Sequence, residues 1–120
     1  MSDITIPGVL AKSEPIVSAI YARLIERITP FGPFEVEEKK TSIHLARGTA
    51  FGGITPRKAA IILTVRLAHG FKDGAGTKAT LATSERASKN RWHHDFRLEA
   101  PADVDRGLVA LLKEAYALSA

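Results

Sequence analysis

The chain of 120 residues contains no cysteine. Disulfides, thiolate metal sites and a cysteine nucleophile are thereby excluded, and no compositional sign of an oxidising compartment remains. Long apolar runs are missing too. No segment approaches the roughly 20 residues of a membrane-spanning helix, and the opening MSDITIPGVLAKSEP has neither a basic start nor the apolar stretch of a signal peptide. A cytoplasmic protein with no membrane partner is the expectation. Aromatic residues are sparse at 7%, and internal repeats and low-complexity tracts are absent, so solenoid and linker architectures drop out.

What is present has the balance of a globular domain: 45% hydrophobic and 25% charged residues, with a mean hydropathy of -0.02. A chain of this length buries roughly two-thirds of its unfolded surface around one core. We therefore expect an N-terminal arm over residues 1–12 and one domain over 13–120. Seventeen Lys and Arg against thirteen Asp and Glu give a net charge of +4, which permits an anionic partner, nucleic acid included, without requiring one.

Periodicity orders the elements. Ser13 is a plausible N-cap and Pro15 suits a first helical turn. Ile16, Ile20, Leu24 and Ile28 then recur at helical spacing until Pro30. FGPF is a turn signal, after which Phe34, Val36 and Glu38 alternate with Glu35, Glu37 and Lys39. Ile43 and Leu45 alternate with Ser42 and His44, and Ala50 to Ile54 suggests a short strand in which Gly52 and Gly53 mark a bulge or bend. AAIILTVRL is the clearest strand, with Ile61, Leu63, Val65 and Leu67 on its apolar side. From Ala68 to about Arg91 no period stands out. That is long for an unstructured connection, so the stretch is functional, mobile, or hides a short element near Thr80 to Ser88. Trp92, His94, Phe96 and Leu98 alternate in a last strand. Pro101 and Asp103 open a terminal helix with an apolar stripe of Val104, Leu108, Leu111, Leu112, Ala115 and Leu118.

The implied fold is α+β: a single, mainly antiparallel sheet of four to five strands with an N-terminal and a C-terminal helix packed on one face. The opposite face then carries Glu35, Glu37, His44, Thr64, Arg66, Arg91, His93, Asp95 and Arg97, a charged surface without an aromatic residue. Such a face is either solvated and ion-paired or an anion platform, with Arg66, Arg91 and Arg97 holding a phosphate or carboxylate. Base stacking lacks its platform there.

FGPFEVEEKKTSIHLARGTAFGGITPRKAAIILTVRL, with SKNRWHHDFRLEAPADVD and LLKEAYALS, resembles a bacterial and archaeal family known as a domain of unknown function (fifty-six fifty-five), from about Ser13 onward. The resemblance implies a small α+β domain found alone or fused to other proteins. It carries over no catalytic residue.

Among single residues, His93 and His94 are neighbours on a strand and point to opposite faces, so they do not chelate one metal. His94 is expected as a hydrogen-bonded histidine at the core's edge. His93 and Asp95 share a face and suit acid/base work, with His44 as a cross-strand partner. Ser42, Ser84 and Ser88 are hydroxyls without a nucleophile elbow. GFKDGAGTK lacks the spacing of a phosphate loop. No metal and no cofactor are expected. The basic turn residues Arg57 and Lys58, and Ser88, Lys89, Asn90 and Arg91, are expected to flank a phosphate-binding groove if both turns lie at one end of the sheet. The leading expectation is an accessory module for an anionic ligand, whether nucleic-acid backbone or phosphorylated small molecule. A small histidine enzyme and a self-associating homodimer are the alternatives.

Overall fold

The computed structural model describes residues 7–70, 77 and 79–119. Two helices, α1 (Pro15–Ile28) and α2 (Arg106–Leu118), accompany a single six-stranded antiparallel sheet. Its strands are β1 (Glu35–Glu38), β2 (Ile43–Arg47), β3 (Thr49–Pro56), β4 (Ile61–Leu67), β5 (Thr80–Ser88) and β6 (Arg91–Leu98). Six strands correct the expected four to five. The extra strand is β5, and all nine of its residues are exposed, so it lacks the buried face that produces alternation.

The strand order is β1-β2-β3-β4-β6-β5. The chain leaving β4 therefore passes the place that β6 later takes, and lays β5 on the edge before β6 returns between them. That detour accounts for the length of the connection. Its segment 71–76, with Gly74 and Gly76, lies outside the described residues.

Sidedness follows the alternation. Ile43, Leu45, Ile54, Ile61, Leu63, Val65, Phe96 and Leu98 are buried in one cluster with Val17, Ile20 and Leu24 of α1 and Leu108, Leu112 and Ala115 of α2. Leu10, within the expected arm, is buried in the same cluster. The register places Glu37, His44, Gly53, Thr64, Asp95 and Thr83 in one row across the opposite face.

Two local features shape one end of the sheet. Leu45 pairs with Gly52 but Ala46 with Ala50, so Phe51 is an extra residue in β3, a β-bulge. The bulge turns Phe51 into the core, where it meets Phe34 and Tyr116 edge to face at 6.1 and 5.4 Å. Gly52 beside it has a packing reason to lack a side chain, because a Cβ there would lie 3.1 Å from the Thr64 carbonyl oxygen.

Capping differs from expectation at both helices. Glu14, not Ser13, precedes Pro15 and makes no side-chain cap bond. Pro101–Asp103 forms a separate 3-10 turn, and Asp105 caps α2 by accepting from the Leu108 N–H at 2.9 Å. No helix among the described residues is long and apolar enough to cross a membrane.

Candidate functional site: a basic cleft at one end of the sheet

A cleft of about 530 Å3 opens where β3 begins, β4 ends and the β5–β6 hairpin turns, against the last turns of α2. Its walls include Arg66, Ser88, Lys89, Asn90, Arg91 and His93, together with Thr49 and the Ser119 that follows α2. Phe51, Leu67, Ala68, Ala115 and Leu118 supply apolar surface. Among the described residues no carboxylate lines it, and Arg66, Lys89 and Arg91 make no ion pair. Arg66 uses one N–H on the Ala50 carbonyl, at a long 3.5 Å, which leaves the rest of its donor fork open.

The hairpin tip is held in place by Arg86, which donates to the carbonyls of Ser88 and Lys89 at 3.3 and 3.1 Å. Lys89, Asn90 and Arg91 are thus carried on a braced turn. On the other side, Thr49 donates to the Ser119 carbonyl at 3.3 Å and the Ser119 hydroxyl to that of Tyr116 at 2.7 Å. These bonds partly satisfy the end of α2, whose negative pole favours the nearby cations by about 0.3–1 kcal/mol.

Other expected site residues lie elsewhere. Arg57 and Lys58 follow Pro56, which pairs with Ile61, whereas Ser88 pairs with Arg91 beside Leu67–Trp92. The two basic turns occupy opposite ends of the sheet, so the expected groove between them does not form. Arg97 sits six residues along β6 from Arg91, about 20 Å at strand rise, and its Nε donates to Glu99 at 3.3 Å. The three-arginine platform reduces to Arg66 and Arg91.

The acid/base constellation also comes apart. Asp95 accepts from Thr64 at 2.6 Å and from Thr83 at 2.9 Å, one hydroxyl from each neighbouring strand. Its carboxylate is a cross-strand clasp, and no hydrogen bond joins it to His93. His44 on β2 is separated from His93 on β6 by β3 and β4, about 14 Å at the usual strand spacing, so the two imidazoles do not meet. Among the described residues no three of His, Asp or Glu converge as a metal would need.

His94 is fully buried, as its neighbours in the alternation imply. Nδ1 lies 2.8 Å from the Ser84 hydroxyl and Nε2 2.9 Å from the His69 carbonyl, with Trp92 stacked on the ring at 5.8 Å and 7°. The carbonyl only accepts, so Nε2 carries a proton and donates to it. Ser84 is thereby engaged in holding a core histidine.

His69, one residue beyond the cleft wall, pairs through Nε2 with Glu114 at 2.6 Å and through Nδ1 with the Gly70 carbonyl at 2.9 Å. The Gly70 bond raises its pKa above the ordinary 6.5; burial opposes the rise, and the hydrogen bond and charge of Glu114 add to it. A raised folded-state pKa means that the stabilisation is fully present below the unfolded value and lost as pH rises through the folded one. Both partners are about half exposed, so the effect is small. We expect Glu114→Gln to lower the melting temperature slightly at mildly acidic pH and to have no effect in alkaline buffer. Equal melting shifts in the two buffers would contradict this.

The sequence offered no sign of Thr49, Phe51 or Ser119 as cleft residues. Phe51 enters through a bulge and Ser119 through the packing of α2, both tertiary facts.

The fold and cleft define a small α+β sheet domain with a cation-lined cavity and no assembled catalytic constellation among the described residues. The family model described as Domain of unknown function (DUF5655) matches residues 8–119, and the chain belongs to that family. No curated protein and no solved structure matches it.

Proposed function

We propose that the domain is a binding module for a small anionic ligand seated in the end cleft. The observation that carries the reading is the gathering of Arg66, Lys89 and Arg91 around one cavity that no carboxylate lines among the described residues. Charge-assisted hydrogen bonds from guanidinium and ammonium groups to phosphate or carboxylate are the chemistry such a set performs, with Ser88, Asn90 and Thr49 as neutral donors.

A cavity of this size falls within the roughly 300–1,000 Å3 of small-molecule sites. A nucleic-acid backbone is the less favoured partner. The basic turn that would extend a track, Arg57 and Lys58, is at the far end, and the open sheet face has no aromatic side chain among its described residues. An enzyme working through His93 shares the cleft but lacks Asp95 as its orienting carboxylate. Self-association would use the exposed edge β5, whose register shifts at Leu81/Thr83 and Arg86/Ser88 work against continuous pairing.

Calorimetric titration with inorganic phosphate and small carboxylates at low salt tests the proposal. Arg91→Ala is expected to weaken binding by roughly 10- to 100-fold, the worth of a charge-assisted hydrogen bond. The double variant Arg57→Ala/Lys58→Ala is expected to leave it unchanged, and added salt to weaken it. Absence of binding at low salt, or an equal loss from both variants, refutes the reading.

A further inference from the structure

The cleft is not uniformly polar, and one of its apolar side chains has no evident folding role. Leu118, at the last position of α2, is 54% exposed, more than Val36 at 43% or Leu81 at 39%, the other large hydrophobic side chains left open among the described residues. It continues the stripe that buries Leu108, Leu112 and Ala115, but its own side chain lines the cleft. An exposed leucine forgoes most of the burial free energy that justifies such a residue. Here it lines the same cavity as Arg66, Arg91 and the exposed Ala68.

A cavity lined by both cations and exposed aliphatic surface selects a ligand that carries both an anion and an apolar group. Resting on the anion-binding reading, we infer that the ligand is an amphipathic anion: a phosphate or carboxylate held by Arg66, Lys89 and Arg91, attached to an apolar body that covers Leu118 and Ala68. A purely ionic ligand such as inorganic phosphate leaves that aliphatic surface wet. A nucleoside monophosphate places a polar ribose against it and gains little.

Alkyl phosphates of increasing chain length supply the test, with inorganic phosphate and a nucleoside monophosphate as references and titration calorimetry as the readout. Affinity is expected to rise by up to about fourfold per methylene until the aliphatic surface is covered. Leu118→Asn, at a position exposed enough to be tolerated, should flatten that rise while leaving inorganic phosphate binding intact, and Arg91→Ala should weaken every member of the series. Phosphate binding that depends on Arg91 but does not improve with chain length overturns the amphipathic ligand and leaves the anion site standing. No binding of any member overturns both. The same headgroup and tail also occur in anionic lipids, so vesicles of phosphatidic acid in phosphatidylcholine form a separate arm. Binding to vesicles without binding of soluble octyl phosphate overturns the inference, because a ligand seated in a cleft must bind as a free molecule.

Discussion

Phe96→Ala is expected to cost about 3–5 kcal/mol of folding stability, the range for emptying a fully buried aromatic position. Phe96 lies on β6 with Leu63 of β4 on one side and Leu81 of β5 on the other. Leu63 is fully buried and already packed, and Leu81 sits on an exposed edge strand, so neither is placed to fill the hole. For a domain whose stability is of order 5–15 kcal/mol, the loss takes a large share of the total. It should appear as a lower denaturant midpoint with an unchanged slope. Arg91→Ala, on the surface of the same strand, is expected to shift the midpoint by no more than about 0.5 kcal/mol. A cost for Phe96→Ala near that of Arg91→Ala would mean that β5 and β6 do not pack as described.

The contrast between these two residues of β6 also explains what could be read from the sequence. β4 is legible because Ile61, Leu63, Val65 and Leu67 are buried while the residues between them are not, and a strict two-residue period writes that burial into the chain. The same logic located the charged face and put His94 at the core's edge, where it is in fact fully buried. β5 resists it, since an edge strand exposed along its length imposes no alternation on Thr80–Ser88.

The site was legible in part for a related reason. Ser88, Lys89, Asn90 and Arg91 have turn composition, and Arg66 falls out of the β4 alternation, so each was identifiable alone. Which of them meet depends on strand order. The return of β6 between β4 and β5 brings the hairpin tip to the start of β3 and leaves Arg57 and Lys58 at the far end, and no local pattern encodes that choice. Asp95 illustrates a second limit. Two residues apart on one face, it and His93 look paired, yet Thr64 and Thr83 are nearer across the strands and take both carboxylate oxygens. Leu118 shows a third, because helical spacing assigns it to the core stripe although it is 54% exposed.

Gly32→Ala is expected to destabilise the domain by about 2–4 kcal/mol, although Gly32 lies in a short surface connection between α1 and β1. Its φ of 133° belongs to a region that residues with a Cβ rarely enter, which alone costs about 1–3 kcal/mol. A Cβ would moreover sit 2.7 Å from the Tyr116 hydroxyl oxygen, which donates to the Pro33 carbonyl at 2.7 Å. The Tyr116 ring packs against Phe31 and Phe51, and the Arg47 guanidinium lies 4.3 Å above it. Displacing the hydroxyl therefore disturbs Phe51 and the last turns of α2, which together form the apolar wall of the cleft. Tyr116→Phe removes the clashing oxygen at the loss of one hydrogen bond, about 1 kcal/mol. In the double variant the steric part of the Gly32→Ala cost should disappear while the backbone part stays, so the combined loss falls short of the sum of the two single losses. Strict additivity in denaturant titrations would show that the backbone angle alone demands glycine at this position and that Tyr116 plays no part in it.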